Sequence, residues 1–195
     1  MKARSKSQTK LYVSIGIAVA VAAVAIGIAV SFSGSDSNTS PLKTTAPASA
    51  SVEGLQAGNK APNFSLMDLQ KGVVTKQTFA GKPLFIFFTT TWCTPCQIGA
   101  QNLARYDDET GGQAFNVLIV FVDDSEPDSA IVEWKDKFGN DDWFTAKGSE
   151  MAKEYKVRYL DTKYVFDDNG IIQWVDVRPL EYKSIEPVMR PLIGA

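Results

Sequence analysis

At 195 residues, 45% hydrophobic and 22% charged, the chain has room for one globular domain plus an appendage and enough apolar content to bury a core. Its 20 Lys and Arg against 22 Asp and Glu give a net charge of −2, which leaves no broad cationic surface for phosphates and excludes nucleic acid as a partner. Histidine is absent, so His-based triads, Cys–His proteases and HExxH zinc sites are excluded together.

The first ten residues carry Lys2, Arg4, Lys6 and Lys10 and no acid, and residues 11–32 carry no charge at all. At about 1.5 Å per residue, a helix over that run spans about 30 Å, the thickness of a bilayer core. The expectation is a transmembrane anchor over 11–32, with the basic segment 1–10 kept cytoplasmic by the positive-inside bias. The rival is a cleaved secretory signal, whose apolar region is ordinarily about 7 to 15 residues with a small-x-small site close behind. Here the first clear A-x-A, Ala48-Ser49-Ala50, lies far past the apolar run. Both readings export the rest of the chain. Residues 33–57, rich in Ser, Thr, Ala, Gly and Pro, have too little apolar surface to offset ordering and read as a flexible linker. The folded domain is expected over 58–195.

Within it, residues 61–66 and 73–75 are expected to pair as a hairpin around Gln70-Lys71-Gly72. Residues 84–88 (LFIFF) form an unbroken apolar run between Gly81-Lys82-Pro83 and Thr89-Thr90-Thr91, the pattern of a central strand buried on both faces. Residues 115–122 (FNVLIVFV) repeat it. Beyond Asp123-Asp124-Ser125-Glu126-Pro127, Ile131, Trp134 and Phe138 recur at helical spacing. Residues 163–166 and 171–177 flank Asp167-Asp168-Asn169-Gly170, where Asn-Gly supplies the positive φ values of a tight hairpin. A short helix is predicted over 184–193, with Val188 and Leu192 inward and Pro191 leaving it imperfect. The order β-α-β-α-β-β-α specifies an α/β fold, a small mixed sheet covered by helices on both faces. Trp134, Trp143 and Trp174 are assigned to the core. The acidic groups at 107–109, 123–124, 141–142 and 167–168 read as solvated charge at element ends, since no D-x-[DN]-x-[DN]-G calcium spacing occurs.

Only two cysteines occur, in Trp92-Cys93-Thr94-Pro95-Cys96, directly after the central strand where a helix would begin. Unpaired N–H groups at a helix N-terminus favour a thiolate, and in C-x-x-C settings the thiol pKa falls from ~8.5 into a range of about 3.5 to 7.5. Cys93 is therefore expected to be exposed and nucleophilic. Cys96, one turn on, is expected to be shielded and placed to resolve the mixed disulfide that Cys93 forms. Pro95 suits a first helical turn, where its missing N–H costs nothing. Three duller readings stand beside this one. Structural zinc needs about four ligands; a structural disulfide across so short a loop stabilises little; and two thiols can pack simply as small hydrophobes.

The segments Ala61-Pro62-Asn63-Phe64-Ser65-Leu66, Gly81-Lys82-Pro83 before LFIFFTTTWCTPC, the Asp-Asp-Asn-Gly hairpin and the apolar N-terminal run together resemble the membrane-anchored thioredoxin-like proteins of the TlpA/ResA group, within the thioredoxin and AhpC/TSA superfamily. The resemblance spans about residues 58–195. It implies a thioredoxin-like fold and a thiol–disulfide oxidoreductase with Cys93 and Cys96 as catalytic residues and no cofactor or metal. It also implies a substrate groove of Trp92, Pro95, Tyr159, Leu160 and Asp161. The partners it implies are exported protein disulfides or thiols and a membrane electron donor, met by a monomeric domain. Pro95 leans the couple toward reduction, by analogy with thioredoxin.

Three positions depart from the pattern. Phe87 stands where thioredoxin buries an acid, Gly99 where the anchored group often has Glu, and Asp161 where these proteins place a cis-proline. Asp161 is expected to approach the C-x-x-C, opposing the thiolate through like charge and offering itself as the missing acid–base group; the alternative is that it turns outward. Two further functions share the same residues. A peroxiredoxin-like peroxidase is half-matched, with Thr90 in place but Ile86 where its proline belongs, and a Sco-like Cu(I) carrier would have only the two thiolates to offer.

Overall fold

The computed structural model describes residues 52–194. The expected basic segment 1–10, the anchor over 11–32 and most of the expected linker 33–57 lie outside the described residues, among which no helix is long and apolar enough to cross a membrane.

The strands and helices run in chain order as β1 (Ser65–Asp68), β2 (Gly72–Thr75), β3 (Leu84–Thr89), α1 (Thr94–Glu109), β4 (Asn116–Phe121), α2 (Asp128–Phe138), β5 (Phe144–Lys147), α3 (Ser149–Glu154), β6 (Thr162–Phe166), β7 (Ile172–Asp176) and α4 (Tyr182–Ile193). They build one mixed sheet in the order β2-β1-β5-β4-β3-β6-β7. β3, β4 and β5 run parallel, and β1 and β6 flank that trio antiparallel.

The apolar runs of β3 and β4 make sense once both faces are covered. Alternate residues point to opposite sides of a strand. Phe85 and Phe87, with Val117, Ile119 and Phe121 from β4, enter a cluster shared with α1, α2 and α4 that also holds both cysteines. Leu84, Ile86 and Phe88, with Leu118 and Val120, enter the opposite cluster, under α3 and the segment leading to β1. From Leu84 to Phe88 every position on β3 faces a covered side, which is why the sequence shows no alternation there.

Several boundaries differ from the sequence expectation. The first hairpin strand starts at Ser65 rather than at 61, because the chain at Lys60 and Ala61 pairs with the opposite edge instead: Lys60 bridges to Ile171 and the Ala61 amide bonds to the Gly170 carbonyl at 3.0 Å. Pro62, with no N–H, cannot extend a ladder. β5 and α3 are additions to the expected order. Four and six residues are too few to show a period, and β5 is defined by its neighbours, parallel to β4 and touching β1 through Asp68 and Ala146. α4 begins at Tyr182 and buries Ile185 and Met189 most deeply, while Val188 and Leu192 are half-buried against the same cluster. Trp134 and Trp143 are buried as expected, and Trp174 packs on the core from its edge.

Asp107 corrects the reading of the acidic groups. It lies inside α1, fully buried, and accepts hydrogen bonds from Trp143 Nε1 at 2.8 Å and Asn140 Nδ2 at 3.1 Å. Burial pushes its carboxyl above the ordinary value, and those two bonds oppose the shift. It ties α1 to the loop before β5 rather than meeting solvent.

Candidate dithiol site

β3 ends in the middle of the sheet, so the chain must leave it through a tight turn before α1 can pack on its face. Cys93 is the N-cap of α1, its amide bonded to the Thr90 carbonyl at 3.3 Å and its carbonyl taking the Gln97 amide at 3.0 Å. Pro95 falls in the first helical turn, where no backbone bond is lost. The two sulfurs are joined in a disulfide with Cα atoms 5.3 Å apart. Cys96 is wholly buried and Cys93 is 7% exposed. The ordering of the two is as expected, but the degree is not: Cys93 is nearly covered. In the oxidised state its side chain turns inward to bond Cys96, and the exposed surface of the turn belongs to Trp92, 65% exposed, with Thr94 and Pro95.

Two side chains hold the turn, and neither stood out in the sequence. Glu126, buried in the loop between β4 and α2, accepts from the Thr91 amide at 2.6 Å and from the Thr91 hydroxyl. From α1, Gln97 Nε2 donates to the Thr91 carbonyl at 2.7 Å. Both backbone polar groups of the residue preceding Trp92 are therefore fixed from opposite sides, which positions the C-x-x-C before any partner arrives.

The segment before β6 forms the other wall. Tyr159 is 66% exposed, and Leu160 packs on the cluster that contains both cysteines. Asp161 does not turn outward. It is buried at φ +66° with its amide bonded to the Phe88 carbonyl at 3.1 Å, one strand from the residues that lead into the C-x-x-C. Its Oδ1 takes Lys163 Nζ at 2.7 Å, while Oδ2 is buried without a hydrogen-bond partner. Lys163, also wholly buried, donates further to the Asp161 carbonyl and the Arg178 carbonyl. Burial pushes the Asp161 carboxyl up, with Lys163 and the Leu180 amide pulling against it, and burial pushes the Lys163 ammonium down, with Asp161 pulling against that.

The AhpC/TSA family pattern matches residues 57–175. The chain belongs to the AhpC/TSA family. Among its relatives, the thioredoxin-like protein YneN of Bacillus subtilis is 25% identical over 133 residues, 68% of this chain and 78% of its own. The thiol-disulfide oxidoreductase ResA of Bacillus thuringiensis subsp. konkukian is 30% identical over 125 residues, 60% of this chain and 68% of its own. The fold matches that of a Chlorobium tepidum protein assigned to the DsbE thiol:disulfide interchange type, with a TM-score of 0.63 at 22% identity over 72% of this chain and all of that one. This AhpC/TSA member is a thioredoxin-like thiol–disulfide oxidoreductase, and its Cys93–Cys96 pair fits a C-x-x-C site.

Packing explains one departure of this family member. A side chain at Gly99 would put its Cβ 3.0 Å from Leu180 Cβ and 3.4 Å from the Phe87 ring. Leu180 Cβ is fixed to the backbone, and Asn102 Nδ2 ties the Leu180 carbonyl to α1 at 2.9 Å, so the neighbour cannot retreat. Phe87 fills the volume below. Gly99→Glu is expected to lower stability by about 1 to 3 kcal/mol, the usual cost of overpacking, despite a gain in helix propensity of at most ~1 kcal/mol. Urea unfolding checks it; an equally or more stable variant contradicts the packing account.

Proposed function

We propose that this protein exchanges disulfides with exported proteins through Cys93 and Cys96, working as a reductant, from a domain tethered outside the cytoplasm by the uncharged run 11–32. The chemistry rests on one observation: a bonded sulfur pair at the N-terminus of α1, directly after central strand β3. Reduced Cys93 attacks a substrate disulfide, one substrate sulfur leaves as a thiol, and a mixed disulfide forms. Cys96 then attacks the Cys93 sulfur and the second substrate sulfur leaves. Two electrons pass from the pair to the substrate, and the enzyme ends in the oxidised state seen here. A membrane-borne dithiol must reduce it again.

Trp92 and Tyr159, both exposed, stand on the two segments that border the cysteines, with Pro95 and Leu160 beside them. Large apolar rings of this kind suit the surface of a protein partner better than a small thiol. Export is supported by the four cations ahead of the uncharged run, and the reducing direction by Pro95.

Reduction of insulin disulfides with dithiothreitol as donor tests the activity, and no acceleration over dithiothreitol alone sinks it. Trp92→Ala is expected to slow insulin reduction about tenfold, the equivalent of roughly 1.4 kcal/mol of lost contact, and to leave exchange with glutathione within about twofold. Equal losses with both substrates contradict the groove assignment. Cleavage of the domain by protease added to intact cells tests the tethering; complete protection contradicts it.

A further inference from the structure

Two opposite charges lie on the same face of the sheet as the disulfide. Lys163 is the cross-strand partner of Phe87, and such partners share a face with Cβ atoms about 4.5–5.5 Å apart. Phe87 packs in the cluster that holds Cys93 and Cys96, as does Val165, two residues beyond Lys163. Lys163 Nζ stands 5.9 Å from the Phe87 ring centroid. Above that ring lie Gly99, one turn past Cys96, and Leu180. The ion pair is thus set against Phe87, which packs in the cluster that holds Cys96.

Both of Lys163's neighbours are held, yet Asp161 is not saturated. One carboxylate oxygen is gripped by Lys163, and the other is buried without a full hydrogen bond, although the Leu180 amide also stabilises the carboxylate. A buried oxygen without a full hydrogen bond is destabilising, so it is a place to look for function. We propose that Asp161, held in place by Lys163, takes the proton from Cys96 when that sulfur attacks the mixed disulfide. The idea rests on the exchange cycle proposed above. In the step, the Cys96 S–H proton passes to Asp161 Oδ2 as the Cys96–Cys93 bond forms. The bond between Cys93 and the substrate sulfur breaks, the substrate leaves as a thiolate, and Asp161 then gives its proton to that thiolate or to solvent. Lys163 is a positioning residue: it fixes the carboxylate at positive φ and keeps it ionised until the proton arrives.

The charged surroundings are few. From the end of β7 and the strand's exit, Asp176 raises the carboxyl of Asp161 and supports the Lys163 cation, while Arg178 opposes that cation and is itself paired with Asp176. β3 contributes only Phe87 and Phe88, and the first turn of α1 contributes no charge besides the sulfurs. Burial of Asp161 places its ionisation above the ordinary carboxylate value, closer to that of the thiol it must serve, which is the condition for effective proton transfer.

The test uses the full chain, reduced, with an aromatic disulfide whose two chromophoric thiolates are released in sequence. The first release reports the attack by Cys93 and the second the resolution by Cys96. In Asp161→Asn/Lys163→Met, which removes both charges and leaves no buried ion unpaired, the second release is expected to slow about 10²-fold near neutral pH. The deficit should shrink as pH rises and Cys96 ionises unaided. Asp161→Glu, which keeps the carboxylate, should recover part of the rate and its pH dependence; if the double variant does not fold, Asp161→Glu against Asp161→Asn carries the comparison. A second release with the parent's pH profile, or both releases slowed in the same proportion at every pH, overturns the proposal. A parent protein with no second release would overturn the exchange cycle itself, a distinguishable result.

Discussion

Cys96→Ser is expected to stall with substrate attached. The variant keeps Cys93 at the N-cap of α1, where the helix terminus favours its thiolate, so attack on a substrate disulfide proceeds and the mixed disulfide accumulates for want of a resolving sulfur. Non-reducing electrophoresis should show a near-stoichiometric adduct that dithiothreitol releases. Cys93→Ser should form no adduct, because Cys96 is wholly buried, and should lose insulin reduction by roughly 10³-fold or more, as expected when the covalent nucleophile goes. The asymmetry is the informative part. Equal adduct from both single variants means that the two sulfurs are interchangeable, against the order of burial in the structure.

Lys163→Met should be the most damaging single change outside the cysteines. It leaves the Asp161 carboxylate buried without a counter-charge and removes the donor from the Asp161 and Arg178 carbonyls. Removing one partner of a buried ion pair costs about 3–5 kcal/mol. The loss has a pH signature with a definite sign. Burial already raises the folded-state ionisation of Asp161 above its unfolded value, and Lys163 opposes that rise. Without Lys163 the folded value climbs further, so the folded state binds the proton more tightly than the unfolded one. For such a group the stabilisation is present at low pH and is lost as pH rises through the folded value. The gap between parent and variant in urea unfolding should therefore be smaller near pH 5 and wider near pH 8. Adding Asp161→Asn should narrow it at the higher pH. A gap that is constant with pH contradicts an unpaired carboxylate as its source.

The parts of this protein legible in its sequence are those where one signal dominates. β3 and β4 are apolar runs because both faces are covered, and the β6–β7 hairpin is marked by Asn169-Gly170, although only Gly170 takes a positive φ, at +76°, and Asn169 does not. The C-x-x-C is placed by spacing and position together. β5 and α3 escape a sequence reading because their boundaries come from pairing with β4 and β1 and from packing, not from a local pattern. Asp107 reads as surface charge from its acidic neighbours, although it continues the buried stripe of Cys96, Ala100 and Leu103 on α1; helical spacing alone could have placed it inside. Lys163 carried a similar signal. A lysine in a strand covered on both faces needs a partner, and Asp161, two residues earlier, was the acid within reach. Glu126 left no such trace, since its contact with Thr91 spans 35 residues of chain.

The most direct test of the dithiol mechanism is the order in which the two reduced cysteines react with iodoacetamide, tracked residue by residue by peptide mass spectrometry between pH 5 and 9. Cys93 is expected to be alkylated first, at least about tenfold faster near neutral pH, with a thiolate titrating below the ordinary value of ~8.5, while Cys96 stays protected. Faster labelling of Cys96, or indifference of both sulfurs until the protein unfolds, would contradict it.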